Sequence, residues 1–523
     1  MRPLIPLWLA IIVSIGSGPV ISLGFPGTGW WPLTFVGMAM VLVCLIGRRA
    51  GSALLVGYLS GVSFYLFLVS WTSLYLGPLP WIALAVAEAA FYAVGCLLIT
   101  LAYRWTPRAW PGRWGRLLLL PVVVAGCWTA REAFSSVWPY GGFPWGRLAE
   151  SLSESPFAPL VAWVGISGLS FLVVLIVAVC LQCVLEFRVR PEARITPSWR
   201  VAIAIGVIAL VLVIPAWPTP TSGTTRIAAV QGDGPAGYFQ DAPPGAVENA
   251  QISETLSLVG REKADLIVWP ENGADVDPTR DKQSAQDLDY LSRAMHAPLV
   301  VGTITHRHGK YYNTSLLWEA GKGAVDYYDK RHPVPFGEYV PDRAFWRPFA
   351  PQLIDLIGRN YTPGTRSNLF DIRGITAGIS ICFDIADDQL FTDMMQGGAQ
   401  VILAQTNNAD FGKTDENQQQ LAIARLRAIE GARSLVNIST VGTSQIVAPD
   451  GRTISAIPAY KPGVMVANVP LGTTTTPAVL ASRGIEWLVA GLGIGGLIVA
   501  RITSTNPRRA RARGKASRKS KTD

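Results

Sequence analysis

Polar side chains stand where short apolar runs stop. Glu271 closes ADLIVWPE, Cys382 closes ITAGISIC, and Asn407 and Asn408 close QVILAQTNN. Ligand-handling groups of α/β sheets gather at the carboxyl ends of strands, so these ends are where chemistry is expected. A carboxylate and a thiol at neighbouring strand ends form a base–nucleophile pair: one draws the proton, the other attacks an acyl carbon. Taken alone, Glu271 also reads as a helix-capping acid and Cys382 as a small inert core residue. Lys330 stands in DYYDKRHPVPFGEYVP, a segment too rich in Pro and Gly to be regular. It reads as a solvated charge unless its ammonium reaches the thiolate and a developing oxyanion. His332 is close by, which leaves a Cys–His pair open as well. His306 and His308 share the turn HRHGK with no further Cys or His at ligand spacing, so no metal is expected. The chain has no GxSxG, Walker loop or dinucleotide fingerprint, and no cofactor is expected.

The six cysteines sharpen the choice at Cys382. Cys44, Cys96, Cys127, Cys180 and Cys183 all fall in long apolar stretches, where small soft side chains pack. Cys382 alone lies outside them, so it has no disulfide partner in its own domain. It is either buried and inert or kept for its thiolate. Its place at a strand end favours the thiolate.

The elements that must position these groups lie in 218–478, after the Pro-rich junction WPTPTSGTT. Short β-branched runs (RIAAVQ, ADLIVWPE, APLVVGTIT, TSLLWE, ITAGISICF, QVILAQTN) read as strands. Stretches 246–262, 284–296 and 417–433 carry helical periodicity. Near-continuous apolar strands imply a sheet covered by helices, hence one α/β domain.

The remainder reads as membrane. Of 523 residues, 50% are hydrophobic and only 15% charged, against about 25% charged in soluble domains. Segments near 4–23, 28–46, 52–75, 80–103, 116–134, 159–185 and 201–217 each approach the roughly 20 apolar residues a span needs. An eighth runs over 479–500. The expected organisation is a seven-helix membrane domain (1–217), the α/β domain (218–478), a last span (479–500) and a basic tail (501–523). The net charge of +9 would suggest nucleic acid, but nine Lys/Arg and one Asp in the tail account for nearly all of it. The tail reads as an anchor on anionic lipid, and no nucleic acid is expected. Arg2, Arg48–Arg49, Arg104–Arg116, Arg188–Arg200 and the tail mark alternate connections, which places them in the cytoplasm and 218–478 outside. Glu88, mid-span in WIALAVAEAAFY, is a functional candidate or a paired bundle residue. Trp30, Trp31, Trp71 and Trp81 read as interfacial anchors.

In order along the chain stand GGFPWGRL (141–148), AAVQGD (228–233), IVWPENG (267–273), DKRHPVPFGEYVP (329–341), ISICFD (379–384), TNNADFG (406–412) and RLRAIEGAR (425–433). This series resembles the nitrilase, or carbon–nitrogen hydrolase, superfamily, and with the spans it resembles the apolipoprotein N-acyltransferase family over nearly the whole chain. The resemblance implies an αββα sandwich outside the membrane and a Glu–Lys–Cys triad. Glu271 would be the general base, Lys330 the stabiliser of thiolate and oxyanion, and Cys382 the nucleophile. Glu338 would orient Lys330 or the base, and the Phe383 N–H would be an oxyanion donor. It further implies acyl transfer from a membrane phospholipid, through a cysteine thioester, to the N-terminal amine of diacylated lipoproteins at the bacterial cell membrane, by a monomer. A membrane-tethered amidase using the same triad is the alternative. A transporter with an outer binding module leaves the triad unexplained.

Three positions depart from the family pattern. Phe383–Asp384 replaces Tyr–Glu, Asp410 stands where a bulkier or neutral residue is usual, and an acceptor-binding tryptophan near Gln231 is replaced by Tyr238 or Phe239 as candidates. Segment 338–363, with Phe345, Trp346 and Phe349, reads as a lid over lipid or as a packed loop.

Overall fold

The computed structural model describes residues 2–189, 206, 208, 209 and 211–505. Residues 201–205, 207 and 210 of the span expected at 201–217, the tail beyond residue 505 and Arg190, Arg194 and Arg200 lie outside the described residues.

Among the described residues, seven apolar helices form the bundle: α1 (Leu7–Ser22), α2 (Pro32–Leu45), α3 (Ala50–Leu68), α5 (Pro78–Ala109), α6 (Leu120–Ser135), α7 (Val161–Val189) and, at the far end of the chain, α15 (Arg483–Ser504). A short α4 (Thr72–Leu76) links α3 to α5. Among the described residues, five helical stretches are long and apolar enough to cross a membrane; α1 and α2 are shorter. The expected count of eight spans is therefore not established. The expected span 52–75 breaks after Leu68, where Val69 leaves helical geometry.

The α/β part is a two-sheet sandwich. Its first sheet has the order β12-β1-β2-β3-β4-β5, made of β1 (Thr221–Gln231), β2 (Leu266–Val268), β3 (Leu299–Arg307), β4 (Lys310–Glu319), β5 (Gly323–Asp329) and β12 (Gly463–Gly472). Its second has the order β11-β10-β9-β8-β7-β6, made of β6 (Leu369–Ile372), β7 (Ile375–Ile381), β8 (Val401–Thr406), β9 (Ser434–Ser439), β10 (Ser444–Val447) and β11 (Thr453–Ile457). The centre of each sheet is parallel, β1-β2-β3 in one and β7-β8-β9 in the other. The functional strand ends thus point the same way within each sheet.

Alternation assigns the faces. Ile227, Ala229, Leu266 and Val268 meet Ile379, Ile381, Leu403 and Val436 between the sheets. The opposite face of the first sheet, with Ala228, Val230 and Ile267, packs under Leu288, Leu291 and Met295 of α9 (Lys282–Met295). α8 (Ala246–Leu256) lies beside it and stops six residues short of the periodicity expected to 262. On the outer face of the second sheet lie α12 (Asp388–Gln396) and α13 (Glu416–Gly431). Two short helices, α10 (Arg343–Trp346) and α11 (Pro351–Leu356), lie in segment 338–363, and α14 (Pro477–Ala481) precedes α15.

The outer core of the second sheet does not end at its helices. Ile385, Phe391, Ile402, Ile423 and Leu426 are continuous with Leu148, Phe157, Val161 and Leu169 of the bundle. A buried ionic clasp reinforces this junction. Arg147 reaches Asp388 at 2.7 Å, and Arg427 joins the same carboxylate and Glu430. The two arginines hold the Asp388 carboxyl well below the usual carboxylate range despite its burial. Trp71 is not an interfacial anchor: it is buried, its indole N–H donates to Gln419 Oε1 at 3.2 Å, and it packs on Trp145 and Phe411. Trp30 is exposed on the bundle. Glu88 is buried in the bundle, in the neighbourhood of Tyr65 and Arg131.

Candidate active site

Strand β2 runs for three buried residues, and the chain then turns through Trp269-Pro270 to present Glu271. That turn lies against Gly302 of β3, where an added Cβ would sit 2.7 Å from the Glu271 Cα, so only glycine fits. Lys330 follows β5 directly, and its N–H donates to the Asn313 carbonyl at 2.8 Å. Cys382 follows β7 with φ of 52°, a left-handed conformation that a residue with a Cβ rarely adopts. This strain throws the sulfur off the strand end into the cleft before a 3₁₀ turn (Cys382–Ala386) carries the chain away.

The fold brings Glu271, Lys330 and Cys382 together. Lys330 Nζ is 3.6 Å from Glu271 Oε1 and 2.8 Å from Glu338 Oε2. The Glu271 carboxyl and the Cys382 thiol lie close enough for each to perturb the other. Asn313 Nδ2 donates to Glu271 Oε1 at 2.7 Å and to Glu338 Oε1 at 2.8 Å, clamping both carboxylates around the lysine. Glu338 also accepts from the Val334 N–H at 2.7 Å.

Lys330, 1% exposed, has no water to hold its charge. Burial works against its ammonium, but Glu338, Cys382 and Glu271 outweigh it and lift its pKa well above that of a free lysine. Burial also lifts Glu271, against the pull of Lys330. Cys382 is pushed well above an ordinary thiol, by burial first and by the Glu271 carboxylate second, with Lys330 opposing. The Glu271 carboxyl and the Cys382 thiol are thus both raised, so a proton can pass between them while Lys330 stays charged.

Asp384 lies on Lys330's other side. It accepts from the Tyr328 hydroxyl at 2.9 Å and the His332 N–H at 3.3 Å, tying the ends of β5 and β7 together. Burial raises it to about 7. The Phe383 ring stacks on Trp145 (centroids 6.3 Å apart, 7° between planes) and on Phe143 (6.2 Å, 18°), both from the loop leaving α6. His332 faces Asp387 at 3.6 Å, so the open Cys–His pairing gives way to the carboxylate. Asn407 is structural, bonding the Ala236 carbonyl and the Thr440 hydroxyl. Asp410 accepts from the Tyr238 N–H at 2.7 Å, and the Tyr238 and Phe239 rings pack on Tyr75 of α4.

Sequence reasoning missed four residues of this site. Asn313 sits inside a strand, and Tyr328 sits near a strand end as an apparent core aromatic. Gln420 Nε2 lies 3.5 Å from Cys382 Sγ, and Glu416, one turn earlier on α13, is 2% exposed. The usable signal was the polar run ENQQQ at the head of a buried helix.

A sandwich of two mixed sheets with these strand ends defines a carbon–nitrogen hydrolase domain, and the model of that family matches residues 226–477. Residues 17–179 match the apolipoprotein N-acyltransferase N-terminal domain. The apolipoprotein N-acyltransferase of Mycolicibacterium smegmatis is 31% identical over 517 residues, covering 93% of this chain and 84% of that one. That of Azotobacter vinelandii is 27% identical over 500 residues, covering 94% of each. The chain belongs to the apolipoprotein N-acyltransferase family.

Proposed function

We propose that this chain moves an acyl group from a membrane phospholipid, through a thioester on Cys382, to the N-terminal cysteine amine of diacylated lipoproteins. The observation that carries the reading is the placement of the Glu271–Lys330–Cys382 cluster. It lies one stacked ring (Phe383 on Trp145) from a helical bundle of spanning length. In the first half-reaction Glu271 takes the thiol proton and Sγ attacks the ester carbonyl. Lys330 holds the oxyanion, the ester C–O bond breaks, and the proton passes from Glu271 to the departing lysolipid oxygen. In the second, the acceptor amine attacks the thioester and gives a proton to Glu271. The C–S bond breaks, and sulfur leaves as thiolate beside Lys330. Phe345 and Phe349, 58% and 72% exposed on segment 338–363, offer apolar contacts suited to a lipid donor.

Supplied with phospholipid and a diacylated peptide bearing a free N-terminal cysteine, the purified protein should yield the N-acyl peptide. Fatty acid should appear only slowly when the peptide is left out. Fast fatty-acid release that ignores the peptide, with no N-acyl product, would assign a tethered hydrolase instead.

We place residues 218–478 outside the cytoplasm. In support, Arg48 donates to the Ile5 carbonyl at 2.8 Å and Arg104 to the Arg48 carbonyl at 2.9 Å, so basic helix ends converge at one end of the bundle. An impermeant thiol or amine label added to intact cells should reach an engineered site in the α/β domain. Labelling of that site only after lysis would reverse the orientation.

A further inference from the structure

We infer that Gln420 is a further catalytic residue: its carboxamide N–H binds the Cys382 sulfur as thiolate, and Asn408 holds it in the donating orientation. This inference rests on the reading of Cys382 as nucleophile.

The orientation follows from hydrogen-bond accounting. Ser439 Oγ accepts from the Gly442 N–H at 2.8 Å, so its own hydrogen goes to Asn408 Oδ1, 2.6 Å away. Thr406 Oγ1 approaches the same oxygen at 3.1 Å. The other end of the Asn408 amide must then be its NH₂, which donates to Gln420 Oε1 and Glu416 Oε2, each at 2.8 Å. With its oxygen spent on Asn408, Gln420 presents Nε2 to Cys382 Sγ at 3.5 Å. Asn408, Glu416 and Gln420 are each only 2% exposed, so water does not offer an alternative partner.

The chemistry asks for such a donor. Sulfur is anionic twice, as the attacking thiolate and as the group expelled by the amine. In the thioester between these events it is a poor acceptor. A donor aimed at sulfur therefore stabilises the charged states over the resting acyl-enzyme, which accelerates both half-reactions. Lys330 acts from the first sheet, and Gln420 acts from α13 over the second. Glu416 is a further carboxyl in this corner, and burial lifts it to about 8, so near pH 7 it adds no full charge against the thiolate.

The full-length protein in detergent or lipid nanodiscs tests this, with iodoacetamide as the probe of sulfur and mass spectrometry of the Cys382 peptide as the readout. Gln420→Leu should slow alkylation at neutral pH about tenfold, the low end for a hydrogen bond to a charged group at this separation. Its alkylation midpoint should move to higher pH. Formation of the acyl-enzyme from phospholipid and its discharge to the peptide should both slow, with the KM for peptide little changed. Gln420→Glu keeps the acceptor oxygen for Asn408 but replaces the donor, and should slow alkylation further. It also serves if the leucine variant does not fold. Alkylation rate and midpoint within twofold of wild type in the folded variants would overturn the inference. Wild-type protein that never gains an acyl group would instead remove the nucleophile reading, while alkylation would still report on Gln420.

Discussion

Cys382→Ser should gain no acyl chain from phospholipid and should lose transfer activity by at least about 10⁴-fold, the scale seen when a covalent nucleophile is removed. The wild-type adduct should be a single acyl group on Cys382, released by hydroxylamine at neutral pH. The size of the effect follows from the surroundings of the sulfur. Burial and the neighbouring carboxylates hold the thiol well above its ordinary range, against the opposing charge of Lys330. A thiolate is therefore formed only during reaction, by handing its proton to Glu271. An alkoxide is far harder to form than a thiolate in the same place. The serine variant keeps the strained left-handed turn, so its fold should survive and its melting temperature should stay near wild type. An adduct of undiminished yield in this variant would end the assignment of Cys382.

Glu271, Cys382 and the asparagines were legible because each closes an apolar run, and two sheets with parallel centres, packed face to face, bring the Glu271 and Cys382 closings together. The covering helices followed from the same runs, whose near-continuous apolarity requires them, whereas the second sheet came from the family resemblance; Ile227–Val230 shows the alternation that feeds two cores. Lys330 was only a candidate, because its irregular segment has no periodicity; what commits it is the clamp of Asn313, Glu271 and Glu338. Asn313 itself was invisible, since one amide inside a strand looks like any edge polar residue. Gln419 and Gln420 show the same limit on α13. One turns its side chain to Trp71, Trp145 and the Leu68 carbonyl, and the other to the Cys382 sulfur. Periodicity marks the helix but not what lies across from each face. Trp71 misled for a related reason: it sits at the end of an apolar stretch, where a lipid interface was expected, but a second domain docks there instead.

Lys330→Met should lower transfer by more than about 10³-fold, combining loss of the oxyanion and thiolate counter-charge, each typically worth two or more powers of ten. Both half-reactions should suffer, and alkylation of Cys382 near neutral pH should slow with them. This variant should also be less stable, unlike Cys382→Ser. Lys330 Nζ lies between Glu338 at 2.8 Å and Glu271 at 3.6 Å, and its removal leaves buried carboxylates without their cation. Breaking a buried pair in this way costs about 3–5 kcal/mol. The pH dependence of the loss identifies its cause. In the wild type, burial already raises Glu271 above an unfolded glutamate, and Lys330 restrains that rise. Without the lysine the folded-state value climbs further. A raised folded-state pKa means that the folded form holds its proton where the unfolded chain has released it. The stabilising contribution is therefore full below the unfolded carboxyl range and is lost as pH rises through the folded value. The gap in melting temperature between variant and wild type should accordingly be small near pH 5 and widen toward pH 8. A gap that stays constant across this range would mean that Lys330 stabilises by packing its methylenes, which methionine largely replaces. Activity within tenfold of wild type would remove Lys330 from the chemistry.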